Sequence, residues 1–519
     1  MKGPSPTTED VEYGGIVVAT GHIQELNRNF SLLSLAGVGL SVGNVWPAIG
    51  GSIVVAIFNG GPPGVLYEFL TVSVFYWFVA ASLAELASAI PSSASVYQWA
   101  TITPGRKWGR PIGFFAGYWN WLGWTIGDAA MTAIVSQSIV QMWAANHADF
   151  KPKAWHVFVI YTIITWIACL TVCFFNVAVP YFNKAGIFFV LAGYTVILIT
   201  VTVMPSRSLG GKGHASSSVV WKEWKADLGY PDGFVFISGM LNGAYSVGTP
   251  DCTTHLAEEI PHPERNVPIA ILCQMAIGFV TGFSYLIAIL YAINDYDALL
   301  NSTYPIAEIY HQATGSAAGT TGLLFPIMLC IFMCVLGSYV TCGRALWTLA
   351  RDGATPFPSF VGKVHPNLAV PFNATLLCAV LITVLGAIYM GSTTAFNAFA
   401  GSYILFSSSS YIAAILPNLL CGRRHVPACG AFKLKGWSGH FVNAVACGYL
   451  VMWFVVYCFP FSLPTDRKKM NYGVVLWGGF TLIVAAWWVV TARKGYEGPP
   501  LVVPEEAQHE GGGGGSMSI

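Results

Sequence analysis

The chain is built from apolar stretches near the length of about 20 residues that a helix needs to cross the hydrocarbon core of a bilayer, separated by short polar turns. Twelve such stretches are expected: Phe30 to Phe58, Gly64 to Ala89, Pro111 to Ala144, Ala154 to Phe174, Pro180 to Met204, Gly233 to Leu256, Pro268 to Ile293, Thr320 to Ala345, Pro371 to Met390, Thr394 to Leu416, His440 to Phe461 and Tyr472 to Val490. Of 519 residues, 55% are hydrophobic and 9% charged, far from the roughly one quarter charged of water-soluble domains. The reading is an all-α integral membrane protein.

Charge narrows the function classes. Lys plus Arg is 25 and Asp plus Glu is 24, so there is no basic excess for nucleic acid. The 12 Cys form no CxxC pair; Cys169/Cys173 and Cys330/Cys334 fall at helical spacing in apolar runs, where Cys acts as a small hydrophobe, so no disulfide framework or metal site is indicated. Residues 1–29 are polar, lack the features of a signal peptide and are expected to be a disordered cytosolic start. An even number of spans then returns the end to the cytosol, and the basic residues divide as 16 inside and 9 outside, in keeping with the positive-inside rule. Glycosylation sequons start at Asn29, Asn301 and Asn373, and this orientation puts only Asn301 outside. Pro499, Pro500, Pro504 and the run Gly511 to Gly515 mark 491–519 as a disordered cytosolic tail.

No ATP-binding loop is present, since the Gly-Lys dipeptides Gly211-Lys212 and Gly362-Lys363 are followed by Gly213 and Val364, not by Ser or Thr. HExxH is absent, and the G-x-S-x-G run Gly39 to Gly43 lies inside an apolar span rather than at the strand-to-helix turn of a nucleophile elbow, so neither a primary pump nor a membrane hydrolase is expected, and no cofactor. What stands out is a pair of interruptions. Span one contains Gly43-Asn44-Val45-Trp46-Pro47 and span six contains Tyr245-Ser246-Val247-Gly248-Thr249-Pro250-Asp251. Gly has no side chain and Pro no amide donor, so both segments free backbone groups that lipid cannot satisfy. Matched broken helices five spans apart point to a substrate site in an inverted-repeat secondary transporter.

Acids inside the spans are the second signal. Asp128 lies mid-span, where a charge costs about 2.5–3.5 kcal/mol on insertion scales, so it needs a partner, a proton or a cargo. Trp121 and Trp124 share its helix face, and aromatic rings beside a carboxylate suit a substrate ammonium. Asp251, His255 and Glu259 recur every four residues after the second break, on one expected helix face; Asp251 and His255 join Asp128 as proton-coupling candidates. Glu85, Glu258 and Glu259 sit at helix ends and read as structural charges paired with loop basic residues such as Arg265 and Arg344.

At these residues the chain resembles the fungal amino acid and choline permease branch of the amino acid, polyamine and organocation transporter superfamily. The resemblance covers about residues 25 to 490. It rests on the glycine-rich stretch Gly37 to Val45, Leu83-Ala-Glu85 to Pro91 and Tyr97, Ala257-Glu258-Glu259-Ile-Pro261 to Pro268, and Gly343-Arg344 through Arg351-Asp352-Gly353 to Phe357. It implies a ten-helix core of two five-helix inverted repeats, with helices 1 and 6 discontinuous, plus two peripheral helices. The repeats would occupy 30–204 and 233–416, an outer loop 205–232, and the peripheral helices 417–490. It also implies uptake of small nitrogenous solutes, commonly with protons, at the plasma membrane or an endomembrane. Relatives carrying amino acids have Gly-small-Gly at the first break; here Val45 replaces the second Gly and Asn44 adds a polar side chain, while Asp128 departs from the family's uncharged residue and suggests a cationic cargo.

The expected function is secondary active, proton-coupled transport of a small amine-bearing solute such as an amino acid, γ-aminobutyrate, choline or an alkaloid-like amine, with no obligate protein partner. Gly43, Asn44, Trp46, Trp121, Trp124, Asp128, Tyr245, Ser246 and Gly248 are the expected substrate residues. The alternative is a transport-inactive nutrient sensor with the same fold; sensors of that kind carry long cytosolic extensions, for which the two short ends leave little room.

Overall fold

The computed structural model describes residues 31–207, 213–391, 395–427, 430–466 and 469–499. Helices fill the apolar stretches. In chain order they are α1 (Leu32–Val42), α2 (Val45–Gly51), α3 (Gly61–Ala89), α4 (Val96–Ile102), α5 (Arg106–Asn146), α6 (Ala154–Phe174), α7 (Val179–Arg207), α8 (Asp232–Gly239) and α9 (Leu241–Val247). There follow α10 (Pro263–Tyr291), α11 (Ala317–Arg351), α12 (Phe372–Gly391), α13 (Ala395–Leu420), α14 (Gly436–Val456) and α15 (Tyr472–Trp487). Short helices Ser217–Trp221, Tyr296–Asn301, Pro305–Thr314 and Pro358–Val361 lie in the connections. Among the described residues the one strand-like feature is an isolated bridge between His365 and Val370.

Local sequence explains where the helices begin. Ser31 and Ser34 form a capping box at α1, and proline in the first turn opens α3 and α10, where its missing amide donor costs nothing. Among the described residues, nine helices are long and apolar enough to cross a membrane. The chain is a multi-pass membrane protein. The stretch Leu33–Gly51, which contains the first break, is 89% buried, whereas Val179–Arg207 and Tyr472–Val490 are only 22% and 11% buried. The interrupted segment is therefore central, and these two outer rods turn residues such as Phe188, Ile199, Leu482 and Ile483 outward, as lipid-facing helices do.

The longest helix, α5, packs against α11 and α13, and α3 against α10 and α14. Inside this frame the two interrupted segments meet: Ser52 Oγ, just past α2, donates to Asn242 Oδ1 on α9 at 2.5 Å.

The expected start, 1–29, and 500–519 of the expected tail lie outside the described residues. Residues 493–495 are helical, and Tyr496 is buried with its hydroxyl 2.8 Å from that of Tyr97, so packed chain continues past the boundary at 490 drawn from hydropathy. Asn301 is exposed at the end of its short helix; Asn373 donates to the Phe360 carbonyl; Asn29 lies outside the described residues.

Candidate functional site

Both predicted interruptions are present. Gly43 (φ −83°, ψ 42°) and Asn44 (φ −77°, ψ 77°) separate α1 from α2. In the second segment α9 ends at Val247, and no α-helix resumes: Gly248 to Thr253 is turn, followed by a 3-10 helix over Thr254–Glu259. That overturns the expectation of a helix face bearing Asp251, His255 and Glu259. With three residues per turn in the second half and an irregular turn before it, the i, i+4 register is lost. Asp251 and His255 still meet, at 3.5 Å, while Glu259 pairs with Arg344 instead.

Side chains from neighbouring helices satisfy the freed backbone groups. Tyr403 on α13 donates to the Gly248 carbonyl at 2.6 Å, and Cys334 on α11 lies 3.4 Å from the Val42 carbonyl. Gln274 on α10 reaches both breaks. Its amide donates to Thr249 O and Oγ1 at 3.0 Å each, its Oε1 accepts from Cys252 Sγ, and its Nε2 lies where a β-carbon on Gly43 would go. Glycine at 43 is thus required by close approach rather than by backbone angle.

Between the breaks is a closed cavity of about 10 Å³, lined by Val42, Trp124, Gly127, Met131, Tyr245, Thr249, Cys334, Ser338 and Tyr403. It offers no more than the space of one water. Tyr245 and Tyr403 meet edge to face with centroids 5.8 Å apart, and the Tyr245 hydroxyl has no partner among the described residues.

Two buried carboxyl groups adjoin lining residues of this cavity without lining it themselves, Asp251 through its bond from Trp124 and Asp128 through its chain neighbour Gly127. Asp251 is fully buried and accepts three hydrogen bonds, from Tyr411 Oη at 2.6 Å, Asn120 Nδ2 at 2.8 Å and Trp124 Nε1 at 3.1 Å, with His255 Nε2 3.5 Å away. Asp128 follows the cavity-lining Gly127 on α5 and is 1% exposed, yet neither of its oxygens has a hydrogen-bond partner among the described residues. Its field reaches Tyr245, Cys334 and Tyr339, which belong to the walls or flanks of the cavity. Thr132 Oγ1, one turn further on, is also unpartnered.

The other expected substrate residues divide. Trp124, Tyr245 and Gly248 come together at the cavity or at the break beside it. Asn44 is buried at the first break, and neither of its amide atoms has a hydrogen-bond partner among the described residues. Trp46 points away, donating to the Val190 carbonyl on α7 at 3.1 Å and packing on Tyr285. Ser246 bonds back to Asn242 within its own helix. Trp121 donates to Cys378 Sγ and lines a separate cavity of about 500 Å³ with Tyr118, Phe357 and Trp487. Sequence reasoning missed Gln274, Tyr403, Tyr411, Asn120, Cys334 and Ser338; each lies on an unbroken helix, and nothing in its local pattern marks it.

On the side of the 3-10 segment, buried ion pairs close the bundle. Arg344 makes a two-pronged pair with Glu259, Arg351 lies 3.5 Å from Glu258, and Arg423 pairs with Glu85. All three acids read as structural charges are paired with arginines, Arg344 as expected and also Arg351 and Arg423.

Comparison with known proteins agrees with this architecture. The sequence profile of the amino acid permease family matches residues 30–480. A choline transporter of Saccharomyces cerevisiae is 33% identical over 495 residues, covering 94% of this chain and 86% of the relative. An amino-acid permease of Arabidopsis thaliana is 26% identical, covering 92% and 94%. A swainsonine transporter of Arthroderma benhamiae is 25% identical, covering 91% and 93%.

Proposed function

The chain belongs to the amino acid permease family, and from that premise we propose that it carries a small amine-bearing solute across the membrane by proton-coupled alternating access. Membrane transport of small solutes is common to the named relatives. In the finer reading, twelve helices cross the bilayer. Residues 30–204 and 233–416 are two inverted five-helix repeats, 205–232 is an outer loop, and 417–490 carries the two peripheral helices. Both termini are cytosolic, and the protein works at the plasma membrane, with the gradients deciding between uptake and export.

The observation that carries the amine reading is Asp128: a fully buried carboxyl, next on α5 to the cavity-lining Gly127, with neither oxygen partnered among the described residues. A negative charge at that depth is costly, and a cationic cargo supplies the partner that no side chain does. The cavity must expand to admit such a cargo, so the conformation seen is a closed one between the two open states. Trp124, Tyr245 and Tyr403 form an aromatic wall for the cation, and the bare backbone at Asn44 and Gly248 supplies polar contacts. Asp251, with His255, takes the proton role: it is held by neutral donors from α5 and α13, so its protonation loosens both helices from the break.

Tracer uptake of choline, γ-aminobutyrate and amino acids into vesicles containing the purified protein tests the reading. Asp128→Asn leaves the fold and lowers uptake through an affinity loss of about 2–5 kcal/mol, more than thirtyfold. Wild-type uptake in that variant removes Asp128 from the role. Binding without flux in the native protein favours the sensor.

A further inference from the structure

Past α15 the chain turns back into the bundle. α15 runs on through a π-helical turn, Trp488–Ala492, and a last short helix, Arg493–Gly495, and the next residue, Tyr496, is 1% exposed. Its ring meets Phe114 of α5 edge to face, with centroids 5.2 Å apart, and Trp488 at 6.1 Å. Its hydroxyl lies 2.8 Å from that of Tyr97 on α4. Arg110 on α5 donates to the Arg493 carbonyl and covers the Trp488 ring at 5.7 Å. The Ala354 carbonyl, just past α11, accepts from Trp487 Nε1 at 2.8 Å and from Tyr118 Oη of α5 at 3.1 Å. Trp487 and Tyr496 are apolar rings with one polar tip each, and both tips find partners inside the bundle. The segment is thus strapped across α4, α5 and the end of α11. Asp352, which follows α11, is in electrostatic contact with both phenols.

From Tyr97 direct hydrogen bonds lead to the second break. Ser93 and Ser95 lie in the turn that joins α3 to α4. The Thr254 hydroxyl donates to the Asp251 carbonyl at 2.6 Å, and with its one proton so used it accepts from Ser95 Oγ. The Glu258 N–H donates to Ser93 Oγ at 3.1 Å. Both ends of the 3-10 segment Thr254–Glu259 therefore rest on the turn that opens α4. That turn is tied to α4 itself, because Trp99 Nε1 donates back to the Ile90 carbonyl at 3.0 Å, and Ser92, Ser93 and Ser95 are all buried. A shift of α4 at Tyr97 reaches the 3-10 segment through two residues of chain and one hydrogen bond.

This is the side on which Arg344–Glu259 and Arg351–Glu258 close the bundle. For the cavity to open there, the 3-10 segment must part from α11 and from the turn before α4. Tyr496 belongs to neither broken segment, yet it fixes the support on which the second one rests.

We propose that Tyr496 and Tyr97 are positioning residues of the transport cycle: their bond holds α4, and through it the second broken segment, in the closed arrangement, so that opening on this side requires the segment after α15 to let go. The inference rests on the alternating-access reading above and adds the element that restrains it. A hydrogen bond between neutral groups is worth about two- to tenfold in such an equilibrium. Tyr496→Phe keeps the ring and removes only that bond.

Hydrogen–deuterium exchange on the purified protein reads the restraint without any substrate. In Tyr496→Phe, amides of residues 93–102 and 254–259 exchange about two- to tenfold faster, while those of α14 are unchanged. Tyr97→Phe does the same, and the double variant does no more than either single one, because both remove one shared bond. Transport supplies the second readout, with tracer choline and tracer γ-aminobutyrate as probes and the protein inserted in one orientation. A larger open fraction on the 3-10 side lowers KM from that side about two- to tenfold and leaves KM from the other side within about twofold. Unchanged exchange in both single variants overturns the proposal, as does faster exchange throughout the molecule, effects that multiply in the double variant, or KM changes equal on the two sides. Should one single variant not fold, the other carries the same test. A native protein that carries neither probe counts against the transport reading, and the exchange result then stands by itself for or against the restraint.

Discussion

Replacing Gly43 by alanine probes whether one side chain, Gln274, holds the two breaks in register. The backbone angles at Gly43 are open to any residue, so the effect is steric. The new methyl overlaps Gln274 Nε2 and Cδ and presses on the Gly39 carbonyl, and the only yielding neighbour is the Gln274 side chain. Turning it away forfeits its two bonds to Thr249 and the one from Cys252. Overpacking costs about 1–3 kcal/mol, and buried polar groups left without partners cost about 1–3 kcal/mol more, so Gly43→Ala is worth about 3–4 kcal/mol. Gln274→Ala loses the same polar contacts, about 2 kcal/mol, but vacates the space that the methyl needs. The double variant is therefore expected near the cost of Gln274→Ala alone, an interaction of about 3–4 kcal/mol between the two positions. For a chain of this length, 1 kcal/mol corresponds to about 1 °C in Tm. Thermal unfolding in detergent should show drops of about 3 °C and 2 °C for the single variants and about 2–3 °C for the pair. A double variant that falls by the sum of the two means that Gly43 and Gln274 do not share that space, and the clamp between the breaks is refuted.

Two further outcomes follow from the charges and the surface. Glu259→Gln strands Arg344, 1% exposed, and costs about 3–5 kcal/mol, seen as loss of monodisperse protein on size-exclusion chromatography; Arg344→Lys, which keeps the charge and loses the fork, is milder. Asn301 is exposed in a sequon, so protein made in a glycosylating host gains gel mobility on glycosidase digestion and Asn301→Gln does not, whereas a glycan on Asn373 would reverse the proposed orientation.

Asp251 and Trp124 show how site reading from sequence goes astray. Trp124 was expected to offer its ring beside Asp128; it lines the cavity, but its indole N–H is committed to Asp251, from the other broken segment 127 residues away. Trp121, on the same expected face, bonds to Cys378 outside the central cavity. Helical spacing says which residues share a face; it does not say which partner that face meets.

Hydropathy and punctuation are local properties, and the sequence carries them in full: the helices lie where about 20 apolar residues run together, and Gly43-Asn44 and Gly248 to Asp251 interrupt them because glycine and proline leave backbone groups free wherever they stand. The cost of burying Asp128 is local in the same sense. Which groups answer that freed backbone is not. Tyr403, Tyr411 and Gln274 sit on uninterrupted helices with nothing to distinguish them, and they become site residues only because tertiary packing turns α10 and α13 toward the breaks. The same packing gave Asp251 three hydrogen-bond partners, Asn120, Trp124 and Tyr411, and Asp128 and Glu68 none among the described residues, a difference set by contacts across more than a hundred residues of chain that no period of 3.6 can encode.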